Sequence, residues 1–531
     1  MRGRALLLTG LVIAAVVVPA TTATAVDEIN TNKLLKAVTV NGILQHERAL
    51  QRIANNNGGT RASGTPGYEA SVAYVKSQLT KAGYKVTEQK FDFPYYEEVT
   101  PATLSQVSPT PTDYETATLE YSGSGDIVGT IVPTTNVVIP ATETPSSASG
   151  CVVTDYVPAS LTEPQVALIQ RGTCTFAEKV AAAVAAGYDA AVVFNEGNPG
   201  RTDLLTGVTL GGPVTIPVVG VSYADGVALY EGSLAGPVTV AVHAEVIAET
   251  RTTSNILADA PKAKNDKKDK KKGHHGNGNN SNDTTDKVVV VGAHLDSVLA
   301  GAGINDNGSG TSVTLETAIQ MAKQNLKPEQ QMRYAFWGAE ESGLLGSTHY
   351  VDTLTDEQLA EIYANLNFDM LGSTNYVRLV YDGDGSADPD GLAGPPGSAQ
   401  IEAIFNDYFA KAGLASAPTA FDGRSDYGPF IAAGIPAGGL FSGAEELKTE
   451  EEAAVFGGTA GAPLDPCYHQ ACDDITNLST AALNELGDAA AHAVMTLAMT
   501  KTGFFEDGSR MAPSPQISVE DLDYWGSNLL R

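Results

Sequence analysis

Apolar and polar positions first alternate with a helical period and then with a strand period. Apolar residues recur every three or four positions from Tyr68 to Ala82, which predicts a helix, and a strand from Tyr84 to Phe93 follows. From Pro101 to Ser149 the chain is rich in Thr and Pro, with short alternating stretches. That pattern predicts a β module or a crossing between two domains.

A compact α+β unit is predicted next, ending near Glu249. It contains one amphipathic helix and three short apolar strands. The helix is Phe176 to Ala186, and the strands are Val166 to Ile169, Ala190 to Phe194 and Ile216 to Val221.

Strands and helices alternate in the second half of the chain. The predicted strands are Val288 to Gly292, Arg333 to Trp337 and Asn365 to Phe368, and the predicted helices are Ser312 to Lys323 and Leu354 to Tyr363. Such alternation is typical of parallel strands joined by crossover helices. We therefore predict an α/β fold in which helices sandwich a mainly parallel mixed sheet, interrupted by the smaller β-rich unit.

A polar segment, residues 261–287, separates these regions. It is rich in Lys, Gly and Asn and has no apolar periodicity, which predicts a disordered loop. Because it lies between the apolar runs Ser254 to Leu257 and Val288 to Val291, we predict that it connects paired strands. Its pair His274 and His275 has no fixed neighbours and is not assigned to a metal site.

The N-terminus has the pattern of a secretory signal peptide. Arg2 and Arg4 precede an apolar run from Ala5 to Ala20, and Ala23-Thr24-Ala25 supplies small residues for cleavage after Ala25. The run is shorter than the roughly 20 apolar residues that span a bilayer. We predict an exported, extracellular protein that has no membrane anchor.

Composition and charge limit the classes of partner. The 531 residues contain 62 Asp and Glu against 33 Lys and Arg, a formal charge of −29. This excess argues against nucleic acid or an anionic membrane as the main partner. With 43% hydrophobic residues, the chain is long enough for two or three domain cores.

Three of the predicted strands end in groups that bind metals. His294 and Asp296 follow the first, Glu340 and Glu341 the second, and Asp369 the third. In open α/β sheets, ligands bind outside the carboxyl ends of the strands, so these groups are predicted to converge. A single acidic residue after a strand is usually a helix cap or a turn former, so the coincidence of three carries the prediction.

Two further segments add candidate chemistry. The Gly-rich run Gly303 to Gly310 places Asp306 in a turn before a helix, and its spacing fits neither dinucleotide-binding nor P-loop motifs. The run Cys467 to Cys472 contains Tyr468 and His469. In an exported chain, Cys467 and Cys472 favour a disulfide over a Cys/His zinc site.

These motifs resemble peptidase family M28, the dizinc aminopeptidases, in particular the secreted Streptomyces leucine aminopeptidase type. The resemblance rests on AHLDSV, GINDNGSG, FWGAEESGLLGS, NFDMLGS and DPCYHQAC in the family's order, with further similarity over residues 61–91 and 421–430. It implies two zinc ions per chain and the removal of N-terminal residues, with large apolar ones preferred. Peptide or protein N-termini would then be the substrates.

The resemblance also implies how the ligands are shared. His294 with Asp369 would bind one ion, Glu341 with His469 would bind the other, and Asp306 would bridge the two. Imidazole and carboxylate ligands suit zinc, which lowers the pKa of a bound water to about 7.

Three neighbouring residues acquire roles by the same resemblance. Glu340 would be the general base, Tyr468 would donate a hydrogen bond to the oxyanion, and Asp296 would orient His294 through its second ring nitrogen. Consecutive residues on a strand point in opposite directions, so Glu340 and Glu341 can both serve the site only if the strand ends before them.

The substrate pocket is predicted less directly. Arg424 matches a family arginine at the substrate end of the site, and Met370 and Phe441 are candidates for an apolar pocket. Relatives of the Streptomyces type bind calcium through acidic residues of the last helix, where this chain has Asn484 and Asp488. A hard cation would lose one carboxylate there, so calcium is possible but is not assigned.

The inserted unit resembles the protease-associated (PA) domain, through residues 166–196. This resemblance implies that the unit contains no catalytic group and that it restricts or recruits substrate. It also implies that Cys151 pairs with Cys174, since pairing within each domain is the simplest of the three possible connectivities. The predicted domains are a signal peptide (1–25), a first peptidase part (26–115), the PA domain (116–249), a second peptidase part (250–503) and a tail (504–531). A monomer is expected.

Two other functions compete with this interpretation. A carboxypeptidase or N-acyl amino acid hydrolase could use the same dizinc fold, but it would need cations for a substrate carboxylate, and only Arg424 is available. A receptor-like binding protein that has lost its metals is the third possibility, although every ligand position carries a suitable residue.

Overall fold

The computed structural model describes residues 28–142, 145–261, 287–387 and 393–500. The predicted signal peptide, nearly all of the Lys-rich loop with its His274 and His275, and the predicted tail lie outside these residues.

The described residues form helices and strands in the predicted alternation. The helices are α1 (Asn32–Leu35), α2 (Val40–Asn56), α3 (Pro66–Ala82), α4 (Phe176–Ala185), α5 (Tyr223–Ala235), α6 (Gly310–Lys323), α7 (Leu345–Asp352), α8 (Asp356–Glu361), α9 (Ser398–Ala412), α10 (Gly428–Ala432), α11 (Glu450–Phe456) and α12 (Thr480–Met499). The strands are β1 (Lys85–Ser108), β2 (Thr112–Tyr114), β3 (Ala117–Thr118), β4 (Gly125–Pro133), β5 (Gln165–Gln170), β6 (Ala190–Phe194), β7 (Val218–Val221), β8 (Thr239–Asp259), β9 (Val288–His294), β10 (Gln331–Trp337), β11 (Ile362–Phe368), β12 (Leu379–Tyr381), β13 (Ala417–Thr419) and β14 (Ala437–Phe441).

One continuous sheet runs through both parts of the molecule. Its order is β13-β12-β14-β11-β9-β10-β8-β4-β5-β6-β7-β3, and β1 pairs with β8 along nearly its whole length. The strands that carry the candidate ligands, β10, β9 and β11, are parallel neighbours at the centre of the peptidase part. The predicted mixed α/β fold is confirmed.

Local signals explain why the elements begin and end where they do. α3 starts at Pro66 behind the Thr65 cap and ends at Gly83, whose φ of 94° few other residues would tolerate. Its apolar face joins a core that also contains buried side chains of α2, α6, α9 and α12. Helices therefore cover the sheet, as predicted.

Two sequence predictions are wrong, one about strand pairing and one about the length of a helix. The runs on either side of the polar segment are not paired, because β10 lies between β8 and β9 and bonds to both. The helix predicted from Leu354 to Tyr363 is only α8, since Ile362 and Tyr363 are buried in strand β11. In both cases sheet pairing, which adjacent sequence does not reveal, decides the outcome.

The inserted unit has its own core on both faces of its sheet. β4, β5, β6 and β7 are parallel neighbours, apolar clusters lie on either side, and a disulfide joins Cys151 to Cys174 as expected. Strands β1 and β8 form a long antiparallel ribbon that enters this unit from the peptidase part. The sheet therefore couples the two parts without an irregular linker on either side.

None of the helices in the described residues is long and apolar enough to cross a bilayer.

Candidate active site

The carboxyl ends of the three central strands meet at one edge of the sheet. His294 is the last residue of β9 and pairs in register with Trp337, the last residue of β10. β11 ends at Phe368, directly before Asp369. The convergence expected from the sequence is therefore present.

A turn after β10 brings two adjacent glutamates to the same side. The strand ends at Trp337, and Ala339 adopts a positive φ of 52°. Its backbone N–H donates to the Ser63 hydroxyl at 2.7 Å, which fixes the turn. Glu340 and Glu341 thus escape the strand alternation that would have separated their side chains.

Asp306 lies between the two candidate histidines. Its Oδ1 is 3.2 Å from His294 Nε2, and its Oδ2 is 3.2 Å from His469 Nε2. The outer acids complete the set, with Asp369 Oδ1 3.2 Å from His294 Nε2 and Glu341 Oε2 3.1 Å from His469 Nε2. One carboxylate thus faces both imidazoles, each of which has an acid of its own.

Glu340 lies close to this cluster without joining it as tightly. Its Oε2 is 3.9 Å from His294 Nε2, against 3.2 Å for Asp369. Burial raises the pKa of Glu340 well above its ordinary value, and the nearby His294 only partly offsets this. A raised pKa makes a carboxylate a better proton acceptor at neutral pH.

The charges of the cluster shift one another's protonation. Burial alone would lower the pKa of His469, but Glu341 and Asp306 raise it to about 11. Burial would raise the pKa of Asp306, and hydrogen bonds with His294 and His469 lower it instead. The site thus contains acidic and basic side chains in direct contact. Within it, His294 is almost fully buried.

Asp296 lies close to His294 and to the turn that carries Glu340. Its Oδ1 is 3.6 Å from His294 Nδ1, just beyond hydrogen-bond distance, and accepts a bond from the Glu340 backbone N–H at 3.3 Å. The carboxylate is therefore placed to orient the imidazole and also anchors the turn.

Several positioning residues were not singled out from the sequence. The Ser425 hydroxyl donates to Asp369 Oδ2 at 2.5 Å, and Asp473 accepts the backbone N–H groups of Asn305 and Asp306 at 2.8 and 2.9 Å. The buried Arg61 donates to carbonyls of the loop that precedes Asp306. In the sequence, these residues could have been found only because they lie inside or beside the quoted motifs.

Asp426 is another buried acid that the sequence did not single out. Burial raises its pKa to about 8.

A cavity of about 640 Å³ opens directly onto the ligand cluster. Met370, Tyr381 and Phe441 line it, as do Arg424 and Tyr468. Met370 and Phe441, which were predicted to form an apolar pocket, are both among these lining residues. Arg424 is the only Lys or Arg among the described lining residues.

Arg424 and Tyr468 form a connected pair at the rim. The Arg424 guanidinium is 2.9 Å from Glu445 Oε1 and donates to the Tyr468 hydroxyl oxygen at 3.2 Å. The Tyr468 ring stacks on His469 with centroids 3.9 Å apart. Because its oxygen accepts from Arg424, the hydroxyl proton remains available to a substrate.

The loop that carries Tyr468 and His469 is closed by the expected disulfide, Cys467–Cys472. His469 itself has a positive φ of 56°, an unfavourable conformation for a residue with a Cβ. Covalent closure around such a residue fixes the direction of its imidazole.

The donor set fits metal binding. Two overlapping groups, His294 with Glu340 and Asp369 and His294 with Asp306 and Glu341, offer ligand atoms within 4.8 Å of one another. Glu341 Oε1 and His294 Nδ1 are buried without a hydrogen-bond partner in the described residues. Mixed nitrogen and oxygen ligands of this kind are typical of catalytic zinc.

Comparison with known proteins gives matches in both parts of the chain. Residues 276–494 match peptidase family M28, and residues 129–229 match the PA domain. An aminopeptidase of Pseudomonas aeruginosa is 41% identical over 512 residues, covering 94% of this chain and 89% of that protein. A probable leucine aminopeptidase 2 of Aspergillus fumigatus is 40% identical over 438 residues, covering 82% and 79%.

A solved structure is similar in fold. The aminopeptidase from Aneurinibacillus sp. strain AM-1 has a TM-score of 0.65 at 24% identity, covering 92% of this chain and 99% of that one. With the family match and the extent of the curated similarity, the chain belongs to peptidase family M28, as an aminopeptidase with an inserted PA domain.

Proposed function

We propose that the protein removes large apolar N-terminal residues from peptides by using two zinc ions and Glu340 as general base. The observation that carries this proposal is Asp306, whose two oxygens each face one histidine at 3.2 Å. A carboxylate so placed is suited to bridging two ions. The resulting assignment is His294 with Asp369 for one ion and Glu341 with His469 for the other.

Bound zinc would polarise the scissile carbonyl and lower the pKa of a water molecule. Glu340 would take a proton from the attacking water and pass it to the leaving amine nitrogen as the C–N bond breaks. Its raised pKa and its 3.9 Å separation from His294 support the role of base over that of ligand.

The Tyr468 hydroxyl would donate a hydrogen bond to the oxyanion that develops on the carbonyl oxygen. The 3.2 Å contact from Arg424 supports this, since it occupies the lone pair of the hydroxyl and leaves its proton free. Arg424 would therefore act by positioning Tyr468.

Met370, Tyr381 and Phe441 would hold the first side chain, which accounts for an apolar preference. A carboxypeptidase needs a free cation near the bound end of its substrate. Arg424, the one candidate in the cavity, is already paired with Glu445. This arrangement favours the aminopeptidase over the carboxypeptidase alternative.

The proposal is tested with leucine anilide and its N-acetyl form, each with and without a chelator. We expect hydrolysis of the free amine only, its loss with the chelator, and its recovery with zinc. Equal rates on both substrates would contradict removal of a free N-terminal residue.

Replacing the base gives the second test. Glu340→Gln is expected to lower kcat by at least about a hundredfold, because proton transfer from a positioned side chain contributes that much. Zinc content, measured by mass spectrometry of the metal, should stay at two ions per chain. A variant that lost one ion along with its activity would show that Glu340 is a ligand.

We also propose that the protein is exported after removal of residues 1–25. The two disulfides support an oxidising compartment. N-terminal sequencing of protein from the culture medium should begin at Val26, and an intact Met1 in that fraction would refute cleavage.

A further inference from the structure

A second cavity lies between the peptidase part and the PA domain. It measures about 240 Å³ and shares Glu341 with the active-site cavity. Ser297 and Ser342 line it from the peptidase side, and Glu120 and Thr209 line it from the inserted unit. The inserted unit therefore forms one wall of a space that begins beside a candidate metal ligand.

The backbone of the inserted unit fixes Glu120 in this wall. The Glu120 N–H donates to the Val208 carbonyl at 2.9 Å, and its own carbonyl accepts from the Leu210 N–H at 3.1 Å. These two bonds form an isolated bridge opposite Thr209. The backbone of Glu120 is thus held in place by two main-chain hydrogen bonds, so its side chain starts from a fixed point in this wall.

The Glu120 side chain is exposed at this cavity, and no Lys, Arg or His of the described residues forms an ion pair with it. An accessible unpaired carboxylate at such a place attracts a cationic group.

Aromatic side chains form the adjoining wall. Tyr96 and Tyr121 lie with ring centroids 5.6 Å apart, and the Tyr96 hydroxyl bonds to Thr118 Oγ1 at 2.6 Å. Rings of this kind pack against the methylene stem of Lys or Arg while the charged end reaches a carboxylate.

The two cavities divide at Glu341. If the first residue of a bound peptide occupies the pocket of Met370 and Phe441, the second residue, after the scissile bond, must lie outside that pocket. The second cavity begins beside the same Glu341. We propose that it receives the side chain of the second residue of the substrate and that Glu120 of the PA domain favours Lys or Arg at that position. This inference rests on the proposed aminopeptidase function.

The test compares two peptides that differ only in charge at the second residue. Leu-Lys amide and Leu-norleucine amide have the same four-carbon side-chain stem, and only the first carries an ammonium group. The wild-type protein should hydrolyse Leu-Lys amide with the higher kcat/KM. Glu120→Gln should lower this preference roughly fivefold, the size of an accessible ion pair, mainly through KM.

Two controls separate this inference from other causes. Glu163→Gln makes the same change at an exposed position of the inserted unit that does not line the cavity, and it should leave the preference unchanged. Leucine anilide has no second residue, so its hydrolysis should be equal in all three proteins and reports correct folding.

Charge reversal gives an independent outcome. Glu120→Lys should favour Leu-Glu amide over Leu-Lys amide. An unchanged ratio in both Glu120 variants, with leucine anilide still hydrolysed, would overturn the inference and leave the proposed function standing. Wild-type protein that fails to hydrolyse leucine anilide would instead refute the function itself.

Discussion

At the scale of single residues, the acids of the site are held by groups that supply no ligand atom. Ser425 bonds to the Asp369 oxygen that faces away from His294, and the Asn367 side chain in turn donates to Ser425 at 2.8 Å. Asp473 holds Asp306 through its backbone instead. The Asp369 carboxylate and the Asp306 backbone are therefore held in place by residues outside the candidate ligand set.

Removing the Ser425 hydroxyl should loosen this arrangement. Ser425→Ala is expected to weaken zinc binding about tenfold, the lower end of the effect of groups that orient metal ligands. The measurement is chelator competition on the purified protein. Ser416→Ala, whose hydroxyl bonds to Asn406 away from the site, is the matched control. Unchanged zinc affinity in Ser425→Ala would show that Asp369 does not need this bond.

At the scale of elements, the sequence predicted the ligand-bearing strands because each one is a short apolar run that ends in a polar group. His294, Glu341 and Asp369 could be placed in this way, since parallel neighbours end at one edge. The partnership of Ser425 with Asp369 could not, because it joins residues 56 positions apart through packing of two loops. The order of β8, β10 and β9 could not be predicted for the same reason, since no local sequence feature specifies which strand lies between two others.

The two disulfide-closed loops should respond differently to loss of their bond. Replacing both Cys467 and Cys472 by Ser should cost about 2 kcal/mol of unfolding free energy for so short a loop and should also weaken zinc binding, because His469 lies inside it. Replacing Cys151 and Cys174 by Ser should cost about 3 kcal/mol and leave zinc binding unchanged. Denaturant titration and chelator competition measure the two effects. Equal zinc affinity in both double variants would contradict a positioning role for the first loop.

At the scale of the whole molecule, stability depends on groups far from the site. Lys179 on α4 is fully buried in the inserted unit, and burial lowers its pKa to about 8, only partly offset by Glu196. Between pH 8 and the ordinary value of 10.5, the unfolded chain keeps this proton and the folded chain releases it. Stability contributed at this position must therefore rise with pH in that window.

The prediction is a rise of up to about 3 kcal/mol in the unfolding free energy of the wild-type protein relative to Lys179→Met, complete near pH 10.5. Denaturant titrations at intervals from pH 7 to pH 10 measure the difference. Lys81→Met, at an exposed position of α3, should show no such trend relative to the wild type. A constant difference between wild type and Lys179→Met would mean that the buried amine keeps its proton.

The ribbon of β1 and β8 has a consequence for how this architecture can be assembled and taken apart. Glu97 and Ile247 are direct partners on its two strands, so the chain leaves the peptidase part and returns to it at adjacent points. A two-residue Asn-Gly hairpin between them could replace everything from residue 98 to residue 246 without moving any ligand-bearing strand. A chain shortened in this way would lack the PA domain and Glu120, and it would keep all five candidate metal ligands.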